Sequence, residues 1–552
     1  MTVTRRPGPL ADFTLTPRVG AIVAWAIPIG ALGAVAAWLL LRLIGLITNA
    51  VFGGRLATDT VSPGQLHAPW WVVLGAPVVG GLVVGVMARY GSEKIRGHGM
   101  PEALEAILFK RSVVEGKVAL LKPTSAAISI GTGGPFGAEG PIIMTGGALG
   151  SLVAQRLRLT DDERKALMVS GAAAGMAATF NAPLASVLLA VELLLFEWRP
   201  RSFLPVTAAV VTATLLRAPL LGSGPLFGLD TAGWRIDVPA ELLAIGIGVL
   251  GGLLAVAVTA LVYRSEDTFE LLRGRLHWMW WPAIGGLIIG IGGLIVPRAL
   301  GVGYDVIGDL LSGHAALSLI VGILVVKSLI WGLSLGSGTS GGVLAPTFMI
   351  GAALGALAGL VLPPVGPGFW ALVGLAATVG GVMRSPLTGV VFSLELTHAW
   401  SALLPLLIAS ATAYGVSILL LRRSVLTEKI ARRGGHLSRE YAVDPFSVRF
   451  VDEVMSPVPD DGSGRLRLRV ADDGRLLGVE RRSGELVADP VTVGPDDTLA
   501  DARERLLAAG VSAAPVVGKD GEVLGTTTLA ALLGQPAGAG ASRTRLSAAG
   551  MT

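Results

Sequence analysis

The chain has 552 residues, of which 52% are hydrophobic and 15% charged, with 76 glycines and a formal net charge of +5. Charge this sparse excludes an ordinary soluble domain of such length and makes an integral membrane protein the default. The small positive balance gives no reason to expect a nucleic-acid partner, and the absence of cysteine excludes disulfides, metal thiolates and thiol catalysis.

A short polar arm, residues 1–19, carries Arg5, Arg6 and Arg18. The apolar runs Ala21–Leu41, Trp70–Met87, Leu242–Val262 and Leu317–Leu335 are each long enough to span a bilayer as a helix. The first is too long for the apolar core of a secretory signal and lacks a clear small-residue cleavage site, so no cleaved signal is predicted. Other apolar stretches, such as Gly131–Ala154, are interrupted by glycine and proline and cannot be plain spanning helices. These features predict an all-α polytopic membrane domain over 20–433, with halves at about 20–225 and 238–433. A polar linker, 434–450, a small α/β domain, 451–534, and a disordered Gly/Ala/Ser-rich tail, 535–552, would follow. Arg422, Arg423, Lys429, Arg432 and Arg433 lie beyond the last apolar run. Together with the arginines of the arm they predict that both ends face the cytoplasm, in a cell (inner) membrane.

The segment Lys122–Ala154 recurs without a gap 205 positions later, at Lys327–Gly359. Twelve positions are identical, among them Lys122/Lys327, Gly137/Gly342, Pro141/Pro346 and Met144/Met349. A second block, Ala182–Leu193, parallels Ser385–Leu396. Gly-x-x-x-Gly spacing alone is common in packed membrane helices, but paired lysines, prolines and methionines are not explained by it. Duplicated segments broken by Gly and Pro point to a transporter's substrate site. The copies differ where it matters most: Gly137-Ala138-Glu139-Gly140-Pro141 has a carboxylate where Gly342-Val343-Leu344-Ala345-Pro346 has a leucine.

A helix start offers unpaired amides and a partial positive charge, and so can hold an anion without a full cation. Glycine lets the backbone come close, and proline suits a first turn that needs no donor. Three starts of this kind stand in apolar surroundings: Gly97-His98-Gly99-Met100-Pro101 and the two segments just given. Aimed at one point, they would replace the water around an anion with amides while leaving it free to depart.

The three segments resemble the selectivity motifs of the CLC family of chloride channels and chloride/proton antiporters. The resemblance extends to Phe180-Asn181-Ala182-Pro183-Leu184-Ala185 and Ser385-Pro386-Leu387-Thr388-Gly389, and covers about 20–433. It implies an inverted internal repeat with re-entrant, broken helices, a homodimer with a pore in each subunit, and amides near Val343 and Leu344 that bind chloride or a similar small anion. It also implies that Glu139 is the gating carboxylate, competing with the anion and carrying the proton in coupled members. An intramembrane carboxylate is costly unless it has a use.

Three departures from the family pattern bear on mechanism. The serine of the first motif is His98, which can donate a hydrogen bond and can also ionise. The tyrosine of the last membrane helix aligns with Leu426, which cannot donate. The inner proton-relay glutamate aligns with Leu193, next to Glu192; its loss leans toward a passive channel over a chloride/proton antiporter. Glu197 would share a helix face with Leu193 if the helix continues, and so, with His98, is a candidate for the proton path, or else an interfacial charge beside Trp198 and Arg199. Glu192 and Glu395, equivalent in the two halves, suggest a structural role at helix ends. Lys122 and Lys327 would either raise the local potential or cap carbonyls.

Residues 487–534 resemble one CBS module, and Val451–Glu485 begins like a second that has lost its helix. Such pairs can bind adenine nucleotides through an aspartate. That position is Ala531 here, so a regulatory or dimer-stabilising role is expected, with no cofactor and no metal. No enzymatic constellation stands out. The rivals are a fluoride or nitrate transporter, a CBS-bearing membrane sensor, and an intramembrane serine protease built on Gly338-Thr339-Ser340-Gly341 and His398.

Overall fold

The computed structural model describes residues 18–433, 446, 449–458, 467–480, 485–518 and 520–533. The polar arm up to residue 17, most of the linker and the tail from 535 lie outside the described residues. The chain divides into two compact units, one over Phe13–Arg439 and one made chiefly of its C-terminal part.

In the first unit, seven helices among the described residues are long and apolar enough to cross a membrane. Four coincide with the apolar runs seen in the sequence: Arg18–Gly53, Trp70–Tyr90, Val238–Leu271 and Leu317–Gly336. The last is not uniform, because Ile323–Lys327 winds as a π-turn within it. Three more, Pro200–Leu221, Trp278–Ile295 and Trp400–Leu420, were hidden by internal prolines or short flanks. Their outward faces are apolar: Leu39, Val79, Leu215 and Leu242 are all exposed. A soluble protein would not show such continuous apolar surface. This is a multi-pass integral membrane protein.

Between the long helices sit shorter, broken ones that are buried almost entirely. Asp161–Phe180 starts from a capping box, in which Thr160 Oγ1 accepts from Glu163 N at 3.3 Å and the Glu163 carboxylate accepts from Thr160 N at 2.9 Å. It stops at Asn181, which adopts a left-handed conformation before Pro183. Glu139–Gln155 packs on it through Gly146 and Gly150. In the second half, Leu344–Ala358 packs on Phe369–Met383 through Gly351 and Gly355. A methyl group on Gly150 would strike the carbonyl of Leu167, and one on Gly355 that of Trp370. The repeated glycines are therefore packing glycines that let two backbones touch.

Reciprocal contacts reveal the relation between the halves. Glu192 accepts from the amides of Leu387 (3.3 Å) and Thr388 (2.8 Å), at the start of helix Pro386–Thr397. Glu395 accepts from the amides of Leu184 (2.9 Å) and Ala185 (2.8 Å), at the start of helix Pro183–Leu189. Each half caps a helix of the other, as a two-fold axis between inverted repeats requires. The symmetry of these two glutamates is thus structural.

In the second unit, β1 (Arg467–Val470), β2 (Leu476–Glu480) and β3 (Leu486–Val487) form an antiparallel sheet, and β4 (Ala513–Val517) pairs with β5 (Val523–Thr528). Helix Leu499–Ala508 packs Leu499, Ala502 and Leu506 against Ala514 and Val516. Among the described residues, 451–485 holds a single 3-10 turn, Val451–Glu453, and no α-helix.

Candidate anion-binding site

Three helix starts converge in the buried centre of the membrane unit. Met100–Phe109 follows Gly97, His98 and Gly99; Glu139–Gln155 follows Gly137 and Ala138; Leu344–Ala358 follows Gly342 and Val343. Pro101, Gly140, Pro141, Ala345 and Pro346 lie in their first turns, and all of these residues are buried. The loops pair directly. Gly342 N donates to Gly137 O at 2.7 Å and Gly137 N to Gly342 O at 3.4 Å, a small antiparallel bridge on the two-fold axis. Gly97 N donates to Thr339 O at 2.9 Å, tying the first start to the same place.

Glu139 occupies the centre with no exposed surface. Its Oε1 accepts from Leu344 N and from Ala345 N, the latter at 3.0 Å, while Oε2 has no partner. A carboxylate from one half therefore sits on the helix start of the other, where an inorganic anion of similar charge would fit. Glycine is demanded at Gly137 and Gly342, because a side chain at either would overlap the Glu139 carboxylate.

The paired lysines set the loops. Lys122 Nζ donates to Ile95 O (2.8 Å), Gly97 O (2.7 Å) and Ser340 Oγ (3.2 Å). Lys327 Nζ donates to Ala299 O (2.8 Å) and Gly301 O (2.7 Å). Of the two roles open to these lysines, carbonyl capping is the one seen. The second contact marks a helix start that the motif reading missed: Gly301-Val302-Gly303, then helix Tyr304–Leu311. Its signal was present in Gly97 and Gly99, which lie 204 positions before Gly301 and Gly303 with a lysine following each pair. Gly99 and Gly303 both have positive φ, +82° and +80°, which only glycine adopts readily there.

His98 is 3% exposed, and its Nδ1 has no hydrogen-bond partner. Its carbonyl lies against Gly140. Nearby, Glu102 is held by Lys429 Nζ at 3.2 Å and Arg433 Nη2 at 3.2 Å. These three line a cavity of about 460 Å³ together with Arg96, Trp278 and Trp281. Leu426, fully buried, precedes helix Thr427–Arg432 and contributes only packing.

Two expectations fail. The helix does not continue from Leu193 to Glu197: it widens into a π-turn, Ala190–Leu195, and ends at Phe196 with φ 54°. Glu197 leaves that face and instead accepts from Ser202 Oγ at 2.5 Å, with Arg199 at 3.6 Å. Nor does a Ser–His dyad form. Ser340 is fully buried against Lys122 and Ser125, whereas His398 is exposed at the end of helix Pro386–Thr397.

Residues 80–418 match the model of the voltage gated chloride channel family, and 484–537 match that of the CBS domain. A ClcB-like protein of Ralstonia nicotianae, named as a chloride channel protein, is 30% identical over 63% of this chain and 82% of its own length. The H(+)/Cl(-) exchange transporter ClcA of Vibrio campbellii is 31% identical over 64% of this chain and 79% of its own. Among solved structures, a slow cyanobacterial Cl-/H+ antiporter superposes with a TM-score of 0.66 at 24% identity, covering 76% of this chain and 99% of that one.

Proposed function

Starting from a chain that belongs to the voltage gated chloride channel family, we propose that this protein exchanges chloride, or a similar small anion, for protons across a membrane, with Glu139 as the shared element. The observation that carries this reading is the seat of Glu139, whose carboxylate rests on the amides of Leu344 and Ala345. As an anion it competes with chloride for those amides; once protonated it loses its hold and yields them. One group thereby serves the anion and the proton in turn.

The lean toward passive conduction, drawn from Leu193, is not supported. Relatives such as the Vibrio protein carry the exchanger name, so the coupled alternative is the better reading. With Leu193 apolar and Glu197 turned away, inward proton transfer uses another route.

Around Glu139, the amides that follow Gly97, Gly137 and Gly342 supply the remaining donors, and His98 adds an N–H in place of the family's serine. A neutral imidazole still donates one hydrogen bond. The protein works as a homodimer in the cell (inner) membrane with both ends in the cytoplasm, and its CBS domain regulates or steadies the dimer without adenine nucleotide.

The test is flux from chloride-loaded liposomes containing the purified protein, with external pH recorded. Wild type should drive protons against their gradient as chloride leaves, and Glu139→Ala should keep chloride flux without proton movement. Chloride efflux by wild type without proton movement would refute exchange; no flux of any anion would refute transport.

A further inference from the structure

Two buried polar atoms of the membrane unit lack partners. One is Glu139 Oε2; the other is the Tyr304 hydroxyl. Tyr304 opens helix Tyr304–Leu311, the start that mirrors Met100–Phe109 across the two-fold axis. Gly303, just before it, packs against Met349 Sδ, on helix Leu344–Ala358, whose first amides hold Glu139. The phenol ring meets Phe180 edge-on at 6.3 Å and Phe227 at 6.0 Å. Phe180 in turn meets Phe348 at 6.3 Å, on the helix that seats Glu139. Tyr304 also lines a cavity of about 420 Å³ with Phe227, Asp305 and Ser312.

We propose that the Tyr304 hydroxyl is the second resting place of Glu139: when an anion takes the amides of Leu344 and Ala345, the carboxyl group turns to Tyr304 and is held there. Leaving a buried donor and a buried acceptor unsatisfied is costly, and this move satisfies both. A phenol donates to a carboxylate and accepts from a carboxylic acid, so the same contact serves Glu139 before and after it takes a proton. The hydroxyl that the family places at Leu426 is absent here, and Tyr304 supplies one from a different helix start. Tyr304 is a positioning residue: it acts on the anion through Glu139. The inference rests on the competition between Glu139 and anion proposed above.

The experiment is chloride titration by calorimetry on the full-length protein, comparing wild type, Tyr304→Phe, Glu139→Ala and the double variant. Tyr304→Phe keeps the ring and its packing, and its thermal unfolding midpoint should match wild type. Without the latch, Glu139 returns to the amides more often, and apparent chloride affinity should fall about tenfold, the worth of one hydrogen bond to a charged group. In the Glu139→Ala background the same change should shift affinity less than about twofold, because nothing remains to be held. Equal affinity for Tyr304→Phe and wild type would overturn the latch, as would an equal shift in both backgrounds. If wild type and Glu139→Ala both fail to bind chloride, the transport reading fails and takes the latch with it.

Discussion

The two copies of the repeat have nearly the same backbone and opposite tasks. In the first, Gly137-Ala138-Glu139 projects a carboxylate; in the second, Gly342-Val343-Leu344 presents bare amides that receive it. Were both copies to carry a glutamate, two carboxylates would compete for one buried site and repel each other. Were neither to carry one, the amides would bind anion with nothing to displace it. On the function proposed above, the difference teaches that the repeat supplies the cradle and that the Glu139/Leu344 position supplies the switch.

The comparison can be broken most severely at Gly342. Gly342→Ala places a methyl group against Glu139 and the carbonyl of Gly137, and the backbone carbonyl cannot retreat within a close-packed core. Anion flux should fall at least a hundredfold in the liposome assay. Gly246→Ala, where the space is open, should leave flux unchanged. The reciprocal caps give the next largest effect. Glu192→Gln and Glu395→Gln each weaken charge-assisted bonds to a helix start, costing about 1–2 kcal/mol. Both thermal unfolding midpoints should drop, that of Glu192→Gln slightly further, since Glu192 also accepts from Thr388 Oγ1 at 2.6 Å where the other half has Ala185; a large drop for one alone would mean that the two-fold relation does not extend to energetics.

A smaller effect is expected at His98, whose counterpart in the other half is Val302. His98→Ala removes one neutral donor, so chloride affinity measured by calorimetry should fall about fivefold, with proton coupling retained. His98→Ser should recover most of the loss. The smallest effect concerns the C-terminal unit. At Ala531 the backbone N–H is capped by Thr528 Oγ1 at 3.1 Å, and there is no carboxylate for a ribose. Adding ATP should leave the unfolding midpoint and the flux within error of the untreated protein.

Much of this arrangement was legible in the chain. The offset of 205 between Lys122 and Lys327 exposed the repeat, and Gly and Pro flanking each motif exposed three helix starts, because both residues report backbone conformation directly. The fourth start was harder to see, since Tyr304-Asp305 replaces Met100-Pro101 and carries no proline. Glu197 was misplaced for a different reason. A π-turn followed by a left-handed residue at Phe196 depends on how Leu193, Leu194 and Leu195 pack, and all three are buried.

The sequence by itself therefore determined the class of molecule, the duplication and the identity of the carboxylate, because composition, period and glycine placement are local properties. Only the tertiary structure decided which amides hold Glu139, that Glu192 and Glu395 cap helices of the opposite half, and that Glu139 Oε2 and the Tyr304 hydroxyl are both buried and unpaired. Those facts join residues about 165 to 211 positions apart, and contacts at such separation follow from packing rather than from any local pattern.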